Sequence, residues 1–394
     1  MNRTVIQNGK CVMRDSVEEN VSLVLENGRI AGLIRSSDNV DGEVIDAKGW
    51  YVSPGFVDIH VHGGGGADFM DTDLDSYFTA AKLHLSHGTT SIMPTVLSAD
   101  RESLFRAVEK YAAAEHDPRI KSRLLGLHIE GPYLSKAQAG AQDVKHIRNF
   151  LPSEYLAIME RGAGRIRRWS VAPELTGADA FAKAAREHDI TLSIAHSDAD
   201  FDTVVKAFEK GFRLVTHLYS GMSSVTRTRG FRKGGVLEAA LLLDGMNVEL
   251  IADSCHLPKE LVCLVRKCKP AARIAAITDA MRAAGQNVSE SVLGDMKSGV
   301  PVIIEDGVAK LRGGEAFGGS VATADRLLKT LLRFGTPLPE AVSMLTANPL
   351  AMIACGDKLG RIQSGYEADL CMFDEAIEIT RVLVRGEMVY ENGI

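Results

Sequence analysis

The chain has 394 residues, 45% of them hydrophobic and 24% charged, which suits one large domain with an accessory one, or two ordinary domains, and excludes general disorder. A formal charge of −6 excludes a global basic field that would draw the protein to nucleic acid or anionic lipid, and no apolar run reaches the length of a membrane span. The start, Met1 to Gly9, lacks the layout of a signal peptide, and six scattered cysteines without a CxxC pair read as reduced thiols, so the cytoplasm is the expected compartment.

In chain order, residues 1–53 carry short β-type runs, Val21 to Leu25 and Ile30 to Ile34. Asn27-Gly28 between them is a hairpin signal, because the centre of such a turn needs positive φ. Next comes Pro54-Gly55-Phe56-Val57-Asp58-Ile59-His60-Val61-His62, with a first strand at Val57 to Ile59. From there buried-type strands alternate with amphipathic helices. Strands are predicted near 90–95, 124–129, 169–173, 191–195, 214–217, 248–252 and 274–278, and helices near 76–87, 100–115, 178–188, 200–210, 258–268 and 321–334. About eight such β-α units favour a closed, TIM-like (β/α)8 barrel over an open sheet. Val300 to Leu311, with its Asp306-Gly307 turn, breaks the rhythm and reads as a hairpin inserted late in the barrel. The tail returns to β-type runs at 368–374 and 382–390. Residues 1–53 and 360–394 are therefore expected to form one small β-sandwich domain beside a barrel of residues 54–359.

Polar residues stand where the barrel strands end: His60 and His62, Glu130, His196, His217, His256 and Asp279. The C-terminal strand ends of such barrels converge on one mouth, so residues distant in sequence meet there. His60 and His62 alternate with Val61, which on a strand turns both imidazoles the same way, within reach of one cation. A single such histidine reads better as a hydrogen-bonded core residue; two at strand spacing, followed by Gly63-Gly64-Gly65-Gly66, read as ligands. Glu130 ends an apolar strand, where a carboxylate is costly unless paired or metal-bound. With His196 and His217 it completes a three-ligand set of the kind that leaves a position open for water, as in catalytic zinc and iron sites. Asp279 is either the general base for that water or the N-cap of the next helix. His84, His87, His116, His146 and His188 match nothing in this set, and His128 reads as a residue of the barrel interior or of the layer behind the ligands.

The ordered set resembles the amidohydrolase superfamily and, within it, the N-acetylglucosamine-6-phosphate deacetylases. The resemblance is carried by Pro54 to Gly63, His128-Ile129-Glu130-Gly131-Pro132-Tyr133, Ala139 to Gln142, Val171 to Glu174, Ala195 to Ala199, Thr216 to Tyr219, Ile251 to His256, Thr278 to Met281 and Phe317 to Ser320. It implies that Glu130, His196 and His217 hold a main divalent metal, and that His60 and His62 serve a second, bridged by Glu130. Zinc is the first expectation, with iron or manganese suiting the same donors. Asp279, also expected among the metal ligands, would activate water and protonate the leaving amine, His256 and Gln142 would contact the sugar, and Gly318-Gly319 would lie beside it through the backbone. The resemblance also implies a homodimer in which a partner loop helps to close the site.

One segment departs from that family's pattern. Where Asn-Ala-Met and then Arg-Glu-Pro-Gly usually grip the substrate phosphate, this chain reads Ser220-Gly221-Met222, then Arg227-Thr228-Arg229-Gly230 and on to Arg232-Lys233. Ser220, Gly221 and either Arg227 or Arg229 are the expected phosphate contacts; the basic run equally suits a solvated loop or another anionic group. The implied reaction releases acetate from N-acetylglucosamine-6-phosphate, with an isomeric or unphosphorylated N-acetyl sugar, or another amide, as the alternative. A binding protein on the same barrel is disfavoured because every ligand and the base are present. A metal-free carboxylate pair of Asp279 and Glu130 would leave four strand-end histidines without a role.

Overall fold

The computed structural model describes residues 3–36, 38, 41–314 and 316–392. Residues 1, 2, 37, 39, 40, 393 and 394 of the expected terminal domain lie outside the described residues. Strands that bury both faces need a sheet covered by helices. The middle of the chain supplies eight: β1 (Phe56–Val61), β2 (Thr89–Val96), β3 (Leu127–Glu130), β4 (Ile166–Val171), β5 (Thr191–Ile194), β6 (Leu214–Val215), β7 (Asn247–Ile251) and β8 (Ile274–Ile277). Each pairs in parallel with the next, from β1–β2 round to β7–β8. The seam between β8 and β1 is joined just past the strands, where Asp279 N donates to His60 O at 2.9 Å and His62 N to Ala280 O at 2.8 Å. Closure of the barrel thus runs through residues of the predicted site.

A helix follows every strand: α1 (Asp75–Ser86), α2 (Arg101–Ala114), α3 (Pro152–Gly162), α4 (Ala178–Glu187), α5 (Phe201–Glu209), α6 (Val236–Leu242), α7 (Lys259–Cys268) and α8 (Ala324–Arg333). Six match the sequence pattern. The pattern passes over α3 and α6. The first opens with Pro152, whose fixed φ suits a first helical turn. The second has only seven residues, too few to display a helical period. Between β8 and α8 lies a four-stranded antiparallel sheet of Glu290–Leu293, Val300–Glu305, Val308–Leu311 and Phe317–Ser320. Its turn at Asp306 and Gly307 has φ of 54° and 75°.

The two chain ends join in one eight-stranded mixed sheet. Tyr51–Pro54 is the joint, parallel to Arg3–Val12 on one side and antiparallel to Leu370–Phe373 on the other. Asn27 and Gly28, at φ 50° and 79°, form the turn between Val17–Glu26 and Arg29–Arg35. Arg123, just before β3, ties this sheet to the barrel by pairing with Asp369 and, at 2.7 Å, with Glu367. No helix among the described residues is long and apolar enough to cross a membrane.

Gly55 leads from the joint strand into β1, and a Cβ there would lie 2.2 Å from the Thr90 side chain, itself fully buried in β2. Gly55→Ala is expected to cost about 1–3 kcal/mol by overpacking, read as a lower urea midpoint with an unchanged slope.

Candidate metal centre

Three of the predicted residues follow their strands by two positions: His196 after β5, His217 after β6 and Asp279 after β8. All three have left-handed backbones, with φ of 45°, 29° and 48°. Such angles cost non-glycine residues about 1–3 kcal/mol each and persist only where the surroundings enforce them. They bend the chain as it leaves the barrel, so each side chain reaches the common mouth. His60 and Glu130 are within or at the end of regular strand, and His62 follows β1 directly.

The side chains converge closely. His60 Nε2 and His62 Nε2 are 3.2 Å apart, and Asp279 Oδ1 lies 3.4 Å from the first and 3.1 Å from the second. Glu130 spans the group. Its Oε1 faces His217 Nε2 at 2.9 Å and His196 Nε2 at 3.3 Å. Its Oε2 faces His62 Nε2 at 3.5 Å and His60 Nε2 at 3.7 Å. Two overlapping donor sets result, His60–Glu130–His217 and His60–His62–Asp279, each with all donor atoms within 4.8 Å of one another. All six residues are buried.

Hydrogen bonds on the far side of the rings decide what this arrangement can hold. His196 Nδ1 donates to Gln138 O at 2.8 Å and His217 Nδ1 to Ser220 O at 3.1 Å. A carbonyl only accepts, so Nδ1 carries the proton in both rings, and in the neutral form each Nε2 aims a lone pair at a carboxylate oxygen. Acceptor facing acceptor in a buried site is stable only with a proton or a metal cation between them. The donor set of imidazoles and carboxylates therefore fits a divalent metal.

Without a metal, protons take that place. Burial alone would lower His60, but Glu130 and Asp279 outweigh it and lift the imidazole to about 10. Burial likewise works against His196, which Glu130 raises. Burial would raise Asp279, yet His60 and the His62 hydrogen bond bring it down to about 2. Glu130 is held well below the usual carboxylate range in the same way, by His60, His196 and His217 against burial.

Beneath the ligands lies a charged pair inside the barrel. Arg168 of β4 and Glu249 of β7 are both 0% exposed. Arg168 forks onto Glu249, with Nη2 donating to Oε2 at 3.0 Å, and also reaches Ser193 Oγ, Thr216 Oγ1 and Ile59 O. Glu249 Oε2 in turn lies 3.5 Å from His60 Nδ1 and accepts from His217 N at 3.4 Å. His128 sits beside them, as its sequence position suggests, bonded to Thr95 Oγ1 and Ser170 Oγ and packed edge-on to His60 with centroids 4.8 Å apart. His84 lies on α1 and His87 just past its end, turned to Gly63 O and Asp325 respectively.

A cavity of about 250 Å³ opens above the ligands. Gln142, Ser220, Gly221, His256 and Gly319 line it. Gln142 Nε2 donates to Glu130 Oε2 at 2.9 Å, and Asp253 holds His256 Nδ1 at 2.8 Å. Gly319 has φ 83°, and a Cβ there would meet Asp279 O at 3.0 Å, so bare backbone approaches the cavity. Arg227 and Arg229 are not brought there. They belong to an exposed hairpin of Thr226–Thr228 and Phe231–Lys233, and neither lines the cavity.

Glu249, Arg168, Asp253 and Gln138 carry supporting roles that the sequence reading did not assign. Glu249 alone left a trace, as one charge inside the buried strand Asn247–Ile251.

The profile of the Amidohydrolase family matches residues 51–389. The chain is similar to the N-acetylglucosamine-6-phosphate deacetylase of Lysinibacillus sphaericus, 29% identical over 387 residues that span 98% of this chain and 97% of that protein. It is equally similar to the N-acetylgalactosamine-6-phosphate deacetylase of Shewanella sp. (strain ANA-3), 29% identical over 397 residues, 98% of this chain and 96% of that one. In three dimensions it resembles the crystal structure of N-acetylglucosamine-6-phosphate deacetylase from Pasteurella multocida, with a TM-score of 0.91 and 27% identity over 99% of this chain and 100% of that chain.

Two outcomes are expected at this centre. Arg168→Met strands the Glu249 charge in the barrel and should cost about 3–5 kcal/mol, whereas the double change Arg168→Met/Glu249→Gln should cost less than the single one; denaturant melts of the three proteins check this. In protein stripped by a chelator, the folded state holds a proton on His60 that the unfolded chain releases above its ordinary value of about 6.5. That stability is fully present below this value and is lost as pH rises through about 10. Calorimetry should show the stripped protein weakening across that window, with the metal-loaded protein far less affected.

Proposed function

The chain belongs to the amidohydrolase family, and on that premise we propose that it hydrolyses the acetamide of an N-acetylhexosamine 6-phosphate, with N-acetylglucosamine-6-phosphate as its substrate. The products are acetate and the amino-sugar phosphate. The observation that carries this reading is the meeting of Glu130 and Asp279 with His60, His62, His196 and His217 below a sugar-sized cavity. Similarity to deacetylases of two N-acetylhexosamine 6-phosphates along nearly the whole chain supports it.

In this reading Glu130, His196 and His217 would hold the main metal, and His60 and His62, with Glu130, a second. Zinc is the proposed ion. When bound, such a divalent cation would supply Lewis-acid polarisation of the amide carbonyl and a lowered pKa for water. The Asp279 carboxylate, at the mouth beside His62 Nε2, would take the proton of the attacking water and pass it to the leaving amine. His256 is fixed by Asp253 through Nδ1, which leaves Nε2 as the nitrogen offered to a sugar hydroxyl. Gln142 is bonded to both Glu130 and Ser98 N, so it meets the substrate from a fixed position. Ser220, Gly221 and Gly319 offer hydroxyl and backbone contacts along the wall. The protein is proposed to act in the cytoplasm as a homodimer, its free cysteines suiting a reducing compartment.

A second reading keeps the chemistry and changes the sugar. Among the described residues no lysine or arginine lines the catalytic cavity, and Arg227 and Arg229 stand away from it on their hairpin. This favours an unphosphorylated N-acetyl sugar.

Acetate release from N-acetylglucosamine-6-phosphate, N-acetylgalactosamine-6-phosphate and N-acetylglucosamine separates the readings. The first is expected to turn over fastest; equal turnover of the unphosphorylated sugar would remove any phosphate role from the hairpin. Asp279→Asn should lose about 10²–10⁴-fold in kcat while elemental analysis finds the metal content of the wild type. Protein that binds no divalent metal and gains no activity from zinc, iron or manganese would sink the metal assignment.

A further inference from the structure

The catalytic cavity has a larger neighbour. A second cavity of about 600 Å³ lies between the start of α2 and the segment around Leu293 to Val300. The same four residues, Leu97, Ala141, Gln142 and Leu293, line both spaces. Together they form a partition shared by the two spaces.

Three of its four residues are apolar, and it is firmly held. Leu97 and Ala141 pack against the small core that contains Leu293. Leu293 is 4% exposed. Its neighbour Gly294 is clamped on both sides, its N–H donating to Asp68 Oδ2 at 3.0 Å and its carbonyl accepting from Arg282 Nη2 at 2.8 Å. Arg282 is itself fixed by Asp71, at 2.6 and 2.8 Å. Gln142 cannot swing aside without losing Glu130 on one end and Ser98 N on the other.

Given the amide hydrolysis proposed above, on which this inference rests, the partition has a definite place in the substrate. The scissile carbonyl must lie against Glu130, His217 and Asp279. From that point Ser220, Gly221 and His256 offer polar partners, and sugar hydroxyls buried elsewhere would go unpaired. The sugar takes that side, so the acyl carbons face Leu97, Ala141 and Leu293. We propose that this partition is the acyl-length stop of the enzyme: it accepts the methyl of an acetyl group and turns away longer acyl chains. The cavity behind it is then ready-made room, and opening the partition would confer hydrolysis of N-propionyl and N-butyryl amino-sugar phosphates. The chemistry is unchanged: water adds across the amide C–N bond, giving the longer carboxylic acid and the same amine.

The test is the ratio of kcat/KM for N-butyryl- to N-acetylglucosamine-6-phosphate, both measured on one preparation so that partial unfolding cancels. Wild type should favour acetyl by roughly tenfold or more. Leu293→Ala should raise the butyryl-to-acetyl ratio roughly tenfold, and Leu97→Ala, which opens the same partition from β2, should move it the same way if Leu293→Ala folds poorly. A ratio that stays at the wild-type value in both variants, or a wild type indifferent to chain length, overturns the acyl stop while leaving the deacetylase reading intact. Failure of wild type to release acetate from any of the N-acetyl sugars overturns both.

Discussion

A buried ion pair lies under everything the protein does at its barrel mouth. Arg168 and Glu249 share the dry interior of the barrel, where an isolated charge would be too costly to keep. They are tolerable there because nearly every donor and lone pair is used. Arg168 bonds to Glu249, Ser193, Thr216 and the Ile59 carbonyl, and thereby stitches β1, β5, β6 and β7 to its own strand β4. Glu249 spends its remaining capacity on His60 and on the backbone of His217. The pair therefore does two things at once: it fills the barrel with a polar network in place of an apolar layer, and it turns a ligand histidine toward the mouth. Charges of both signs then climb in layers, from Arg168 to Glu249, to the imidazoles, to Glu130 and Asp279. A bound cation would complete the alternation.

Much of this was legible in the sequence, for physical reasons. Strands buried on both faces are rich in apolar residues, so β5, β7 and β8 declared themselves, and a strand-end carboxylate or histidine stood out against them. The turns at Asn27-Gly28 and Asp306-Gly307 were readable because few residue pairs accept two positive φ angles in succession. The six site residues emerged in chain order because a parallel barrel delivers every strand end to the same rim.

What stayed hidden has equally physical causes. The left-handed backbones of His196, His217 and Asp279 leave no trace in composition, since glycine is the usual marker of such angles and none stands there. Arg168 follows Arg167 in a strand otherwise apolar, and nothing local says which arginine turns inward. The basic run at 227–233 invited a place at the substrate, yet a short two-stranded hairpin carries it out into solvent. The partition between the two cavities is made of ordinary leucines and an alanine, whose meaning arises only from the space on either side.

The strand Tyr51–Pro54 has a consequence for how the protein comes into being. Its two neighbours in the sheet are far apart along the chain: Arg3–Val12 is made before it and Leu370–Phe373 long after it. On a ribosome the early strands emerge while one edge of their sheet has no partner, and they wait on the order of tens of seconds for the tail. Since Pro54 leads through Gly55 straight into β1, the first wall of the barrel hangs from a sheet that is still open. An unpaired edge invites pairing with other chains, so the nascent protein is open to association until Leu370–Phe373 arrives to cover Tyr51–Pro54. That strand, far from the chemistry, closes the edge from which the barrel hangs.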